Sequence, residues 1–503
     1  MTPLPLTAAI LAAALGASPG ARLRSVYQAQ YADRLVPMLT EVLGFETAEK
    51  NRAAFAAQQA WLSGAGTALG LVVRDEVTFT EIELPGPPGA PVIGLIVHGD
   101  VQPADAREWS VPPFQGVVRD GEVWGRGAAD DKGPLVQALL AMATLRSSGL
   151  PRTSTIRLLV GTTEESATVD ASEYLRKHDP PAFSLVLDSD FPLVVGEKAW
   201  HEVRVTTPLA RSGAPADPRF SVVGLEAGLG TAIVPDRAVL RLRWGKGPPD
   251  WEPLLAQLRA RTPSEGTRLE VSGTGAERTV TVFGKSAHAG MTPQKGRNAL
   301  VSLARLVDGL LPPCGAADLL AFAKQAGSDP QGAGLGLPLQ PPPWNGFDTN
   351  VATVKPAGDG GLALAINVRT PPTLFGPALK AHVEAQVRAF DARTGAVLTV
   401  AGGYYDDTPV VFDPQGRLVR RLLAAYGQAM GTRAEPVVSA GGTYAKRFPR
   451  SIPFGMWFHD KPYPGHAADE HLSVADLQAG VNILLEALGD LACGPPLERP
   501  FER

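Results

Sequence analysis

Three short apolar runs, separated by helix-length segments, constrain this chain more than any other feature. Residues 92–97, 155–160 and 184–187 lack the polar alternation of a half-exposed strand, so each should be covered on both faces. Between the first two, residues 134–147 read as a helix that opens on Lys132-Gly133-Pro134, where a proline in the first turn costs no hydrogen bond. Apolar strands alternating with helices specify an α/β catalytic domain, a mostly parallel sheet flanked by helices. In such sheets, sites gather at the carboxyl ends of strands. Here the first run ends at His98, the second at Glu164-Glu165 and the third at Asp188. Each of those ends carries a side chain able to bind a metal ion.

The 503-residue length exceeds what one core usually holds. Residues 26–43 and 48–64 read as helices that precede the first strand. From His201 to Tyr404 the pattern changes. Strand-like alternation at 238–244, 279–283 and 362–368 mixes with a helix over 298–310 and a Pro/Gly-rich loop at 332–346. This predicts an inserted α+β domain over 201–404, between catalytic segments 22–200 and 405–503. Residues 4–17 are apolar and Ala-rich, and small residues lead from there to Ala21. That stretch resembles a secretory signal over 1–21 with cleavage near Ala21, giving a periplasmic or secreted protein. It has no Lys or Arg ahead of the apolar run, so the alternative is an uncleaved extension on a cytoplasmic protein.

With a net charge of -4 and 19% charged residues, neither sign dominates, which argues against a nucleic-acid partner or a polybasic membrane patch. No stretch reaches about 18 uninterrupted apolar residues, so no membrane span is expected. The only cysteines, Cys314 and Cys493, cannot build a zinc ribbon or a disulfide framework, though they could form one disulfide. Any metal must therefore be held by His, Asp and Glu.

A hydrolytic pair of zinc ions needs about five protein ligands if one carboxylate bridges, plus an acid/base not tied to metal. The candidates are His98, Asp130, Glu165, Asp188 and His466, with Glu164 left over as the base. Asp130 lies in a Gly-rich turn entering a helix, 125–134. Neighbouring side chains diverge in extended chain, so Glu165 can bind metal while Glu164 faces the water. Asp100, two residues after His98, is placed to hydrogen-bond the imidazole and fix its tautomer. Each signal alone has an ordinary reading. A histidine at a strand end is usually structural, acidic pairs are usually solvated, and Asp130-Asp131-Lys132 could be a salt-bridged helix start. Jointly they supply a complete site and its base. No Gly-x-Ser-x-Gly elbow supports a serine hydrolase.

His98-Gly99-Asp100-Val101, Trp109, Pro112-Pro113-Phe114, Gly125-Arg126-Gly127 and Asp130-Asp131-Lys132-Gly133-Pro134 resemble the dizinc exopeptidase family of peptidase V, carnosinase, acetylornithine deacetylase and aminoacylase. Asp188-Ser189-Asp190-Phe191-Pro192 and Gly196-Glu197-Lys198 resemble its peptidase V branch. The likeness covers nearly all of the chain after residue 21. It implies a zinc-exopeptidase-like catalytic domain with an inserted α+β lid. It also implies that His98 and Asp188 hold one Zn2+, and Glu165 and His466 the other, with Asp130 bridging; Co2+ or Mn2+ could substitute. Cleavage of dipeptides or short peptides would use a metal-bridging hydroxide with Glu164 as general base. In Gly284-Lys285-Ser286-Ala287-His288-Ala289, His288 would stabilise the oxyanion. Arg369 would clamp the substrate carboxylate, and Gly441, Gly442 and Thr443 would approach substrate closely.

Asp at position 188 accompanies dipeptidases and aminopeptidases in that family, whereas Glu accompanies deacylases and carboxypeptidases. The alternatives are an N-acyl-amino-acid deacylase on the same site, or a metal-binding protein without turnover. Relatives work as monomers or as homodimers joined through the lid. Two departures stand out: Thr163 replaces an Asp before the Glu pair, and 231–235 lacks the Asn found before the equivalent Val-Pro.

Overall fold

The computed structural model describes residues 17–48, 51–75, 78–166, 168–209, 219–287, 289–290, 295–358, 360–463 and 465–503. The chain forms two compact units, Met1–Gly196 with Val410–Arg503, and Glu197–Pro409. The insert is thus slightly wider at both ends than the 201–404 expected from pattern alone.

The interrupted unit is built on a six-stranded sheet. Its strands are β1 (Val72–Asp75), β2 (Phe79–Leu84), β3 (Val92–His98), β4 (Thr155–Gly161), β5 (Phe183–Val186) and the strand Ser451–Pro453, in the order β1-β2-β4-β3-β5-Ser451–Pro453. The last four are parallel. β1 and β2 form an antiparallel edge. The register sets His98 beside Gly161 and Ile96 beside Val186, so the three apolar strands end side by side.

Helix α1 spans Pro19–Gln30, α2 Leu35–Leu43, α3 Arg52–Ala68 and α4 Lys132–Ser147. The single helix expected over 26–43 is broken at Tyr31, and a 3-10 turn intervenes. Pro37 explains the break, because it has no N–H to give and is tolerated only in a first turn. α4 is buried from Lys132 to Leu145, as befits a helix packed between the sheet and the helix Val474–Cys493. Lys132 is no salt-bridged surface residue: Nζ donates to Val42 O at 3.2 Å and Phe45 O at 2.5 Å, and burial pushes its pKa down to about 7. The expected leader boundary at Ala21 falls inside α1, whose first turn is capped by Ser18 Oγ accepting from Ala21 N at 3.2 Å.

The second unit carries an eight-stranded antiparallel sheet of β6 (Ala199–Thr207), β7 (Phe220–Ala227), β8 (Arg237–Trp244), β9 (Arg268–Ser272), β10 (Glu277–Phe283), β11 (Asp348–Pro356), β12 (Leu362–Thr370) and β13 (Thr399–Tyr404). Leu300, Leu303, Phe322, Leu379 and Val383, from three helices, join strand residues Val203, Val205, Leu364 and Ile366 in its core. This is the expected α+β architecture. The loop 332–346 holds one 3-10 turn, Ala333–Leu335. Cys314 and Cys493 form no disulfide. Among the described residues, no helix is long and apolar enough to cross a membrane.

Candidate metal centre

Asp130 stands between two imidazoles. Its Oδ1 lies 2.9 Å from His98 Nε2 and its Oδ2 lies 3.0 Å from His466 Nε2. Asp188 Oδ2 is 3.7 Å from His98 Nε2, and Glu165 Oε2 is 2.9 Å from His466 Nε2. Five residues spread from position 98 to 466 therefore converge at the ends of β3, β4 and β5. Two groups have ligand atoms within 4.8 Å of one another: His98 with Asp131 and Asp188, and Asp130 with Glu165 and His466. Asp131 was not anticipated from the sequence.

The donor set fits a pair of divalent cations. It is wholly carboxylate and imidazole, the chemistry zinc and its neighbours accept. His98 is fully buried, and among the described residues its Nε2 has no partner of hydrogen-bond geometry although two carboxylates flank it. Buried acids packed this closely demand positive charge. Burial, with Asp130 and Asp131 adding, holds Asp188 well above the usual carboxylate range. Burial also raises Glu164, where Glu165, Asp130 and Asp100 add against the pull of His98. Asp130 is held well below that range despite burial, because His466 and His98 face it. Burial alone would depress both imidazoles, but their carboxylate neighbours outweigh it and hold both well above the usual histidine range.

The supports around these groups differ from the sequence expectation at Asp100. His98 Nδ1 faces the backbone carbonyl of Asp100 at 2.9 Å, while the carboxylate is 3.5 Å away. That carboxylate instead accepts from Glu164 N at 3.2 Å and Glu165 N at 2.9 Å. It anchors the turn bearing the Glu pair. The reason is geometric: at a strand end the carbonyl of residue i+2 reaches the ring, leaving the side chain to cap the neighbouring loop.

Four further residues act on the site without an obvious sequence signal. Glu470 Oε1 accepts from Ala129 N and Asp130 N at 2.9 and 3.1 Å, and Oε2 takes Arg126 Nη1 at 2.8 Å. Tyr463 OH donates to Asp130 Oδ2. Gln102 Nε2 donates to Glu165 Oε2 at 3.0 Å. Asp170 accepts from Thr162 N, Thr163 N and Tyr444 OH at 2.8, 3.0 and 2.5 Å. The carboxylate under the loop thus comes from Asp170. Proximity of Glu470 to His466 in sequence was the one available hint. His466 itself adopts φ 62°, a left-handed conformation costly for a non-glycine residue and typical of functional sites. The other nearby histidines are engaged elsewhere: His459 beside Asp190 at 3.4 Å, His471 stacked on Trp124 at 4.1 Å.

Of the expected substrate contacts, His288 lies outside the described residues. Arg369 is 7% exposed on β12, an interior strand between β11 and β6, so it is no surface charge at a sheet edge. Among the described residues its Nε has no hydrogen-bond partner. Burial lowers the guanidinium to about 10, against Asp407, Asp348 and Glu197. Thr443 Oγ1 accepts from Ala445 N at 3.1 Å, capping a short 3-10 turn. Gly441 and Gly442 keep φ values open to any residue, so their backbone does not require glycine.

Comparison with known proteins follows the same lines. The model of Peptidase family M20/M25/M40 matches residues 94–490. Among curated relatives, the YtjP protein of Bacillus subtilis (strain 168), provisionally named a dipeptidase, is 26% identical over 405 residues, 80% of this chain and 84% of that one. A similarly named protein of Staphylococcus haemolyticus, SH1171, is 27% identical over 410 residues, 80% of this chain and 83% of that one. In fold the chain is similar to human carnosine dipeptidase 1, with a TM-score of 0.58, 15% identity and coverage of 93% and 99% of the two chains. The Sulfolobus solfataricus M20 metallo-carboxypeptidase is also similar, with a TM-score of 0.52, 15% identity and coverage of 90% and 98%. Match length and the strand-end cluster agree, and the chain belongs to Peptidase family M20/M25/M40.

Proposed function

We propose that this chain is a dizinc metallopeptidase that hydrolyses the amide bond of dipeptides or short peptides. The observation that carries the reading is the Asp130 carboxylate set 2.9 and 3.0 Å from two imidazoles that each face a further carboxylate. His98 with Asp188 would hold one cation and His466 with Glu165 the other, with Asp130 shared. Bound there, the two cations acidify water and polarise a carbonyl. Glu164 is the residue left to move the proton. Among the described residues its carboxylate makes no hydrogen bond or ion pair, and its raised proton affinity suits a base that takes a proton from water and returns it to the leaving amine. Asp100 and Asp131 position this machinery.

On the second unit, Arg369 is a buried guanidinium whose planar fork suits the terminal carboxylate of a peptide. His288 as oxyanion donor and Gly441, Gly442 and Thr443 as backbone contacts belong to the same proposal. The dipeptidase names of the curated relatives support the substrate class. Export to the periplasm or the medium is part of the reading. If the leader is cut, the close packing of Gly20, where a Cβ would come 2.8 Å from Glu486 Cα, favours a cut ahead of Ser18 over one at Ala21.

Metal analysis with a panel of dipeptides against N-acetyl and N-succinyl amino acids tests the function. Two zinc ions per chain and preferred dipeptide turnover are expected. Preferred deacylation would overturn the substrate class, and two bound ions with no turnover would indicate a binding protein. N-terminal sequencing of exported material tests the leader.

A further inference from the structure

The loop that brings His466 to the cluster also brings Tyr463. This tyrosine is part exposed, and its hydroxyl turns inward to Asp130 Oδ2. The two ends of Asp130 are held separately. Its backbone N donates to Glu470 Oε1 at 3.1 Å, which fixes the main chain. Its carboxylate has Oδ1 2.9 Å from His98 Nε2 and Oδ2 3.0 Å from His466 Nε2. Each oxygen thus faces a different imidazole, and a turn about Cβ–Cγ would take both out of line. That torsion is soft in aspartate, so a partner must hold it.

The imidazoles cannot hold it when cations are bound. A nitrogen that ligates a metal carries no proton, so neither Nε2 then donates to Asp130. Among the described residues, Tyr463 is the only other side chain that donates to this carboxylate. A neutral phenol suits the task, because it donates to a ligand oxygen without bringing a charge that repels the ion. Burial, with Asp130 and Glu165 adding, holds its pKa well above the usual tyrosine range, so it keeps the proton that it donates.

The ring is placed from outside the loop. Its centroid lies 4.9 Å from that of Trp457, a buried residue. Trp457 Nε1 donates to Asp190 Oδ1 at 2.9 Å. The strand Met456–Phe458 runs parallel to Ser189–Phe191, with Trp457 opposite Asp190. Asp190 lies close after the ligand Asp188 in sequence, yet its carboxylate serves the indole. Contacts therefore run from Asp190 through Trp457 and Tyr463 to Asp130. We propose that Tyr463 is a positioning residue that keeps the Asp130 carboxylate shared between the two cations, its ring aimed by Asp190 and Trp457. The role rests on the dizinc reading. Without the phenol the carboxylate turns toward one cation, and the other loses a ligand.

Chelator competition on the zinc-loaded parent and on Tyr463→Phe reads both binding constants without measuring turnover. In the variant one constant should weaken about 10–100-fold, the range for a residue that supports a ligand, while the other stays near the parental value. The metal-free variant should keep the parental circular dichroism spectrum. With cobalt in place of zinc, the visible absorption of the second ion to bind should change in the variant, and that of the first should not. Trp457→Phe, which keeps a ring but has no N–H for Asp190, should weaken the same constant by less. Parental constants and an unchanged cobalt spectrum in Tyr463→Phe overturn the proposal alone, as does equal weakening of both constants. Parental constants in Trp457→Phe overturn the part given to Asp190 and Trp457. A parent that binds fewer than two ions overturns the dizinc reading and this role with it.

Discussion

Asp100→Asn separates two accounts of how the metal centre is held. In the parent, the carboxylate accepts from Glu164 N at 3.2 Å and Glu165 N at 2.9 Å. The asparagine keeps one acceptor oxygen, but turns an NH2 group toward the other amide, so one hydrogen bond is lost and the survivor loses its charge assistance. Hydrogen bonds to charged groups contribute ~1.5–3 kcal/mol each, so the turn loses about 3 kcal/mol of support. Part of that reaches Glu165, whose carboxylate meets His466 at 2.9 Å. Affinity for the cation on that side should therefore fall about 10–100-fold, the usual range for a residue supporting a ligand. The cation near His98 should be affected less, because His98 Nδ1 is held by the Asp100 backbone carbonyl at 2.9 Å, which the substitution leaves in place. Stepwise chelator competition on zinc-loaded protein reads both affinities. The variant should release one ion early and the second near the parental chelator concentration. Equal weakening of both sites would restore the role in which the carboxylate orients His98. Parental affinity at both would refute the loop-anchoring argument.

Further outcomes follow from the same geometry. Glu164→Gln should keep both metals and lose nearly all turnover; measurable parental turnover with full metal content would remove Glu164 from the chemistry. Because burial raises the Glu164 pKa, its basic form disappears as pH falls, so the acid limb of a kcat/KM profile should lie above the ordinary glutamate value of about 4.3; a midpoint at that value would count against the assignment. Chelation should lower the melting temperature of the interrupted unit, and zinc at about a thousand times Kd should restore ~4 kcal/mol by mass action, checked by calorimetry. Glu470→Gln leaves Arg126, whose side chain is 4% exposed, facing a neutral amide, which should cost about 1.5–3 kcal/mol in denaturant titration.

The sequence disclosed the strands that bear the cluster because their signal is local. An apolar run must be covered on both faces, and its end must then face solvent or a site. His98, Glu164-Glu165 and Asp188 were legible for that reason. The supports were not, because each depends on chain segments meeting in space. Glu470 reaches Ala129 across 341 positions, and Asp170 reaches Tyr444 across 274; no spacing rule connects such pairs. Asp131 was hidden by its neighbour, since two adjacent acids give one signal until the backbone fixes where each points. The burial of Arg369 was equally invisible, because whether a strand is interior or edge is decided by pairing order. The break after α1 was readable in principle from Pro37, but the apolar spacing ran across it unbroken.

The insertion of one unit within the other imposes a schedule on biosynthesis. The Asp130 turn leaves the ribosome early, and the residue that fastens it, Glu470, lies 340 positions later. At about 5–20 residues per second this separates the two by roughly 20–70 s. From Asp188 onward the acidic half of the cluster waits for His466 while the whole of Glu197–Pro409 is made. Assembly of the metal site is thus deferred until the last part of translation, and a polypeptide arrested between Asp188 and His466 carries the base and the acidic ligands but never the completed centre.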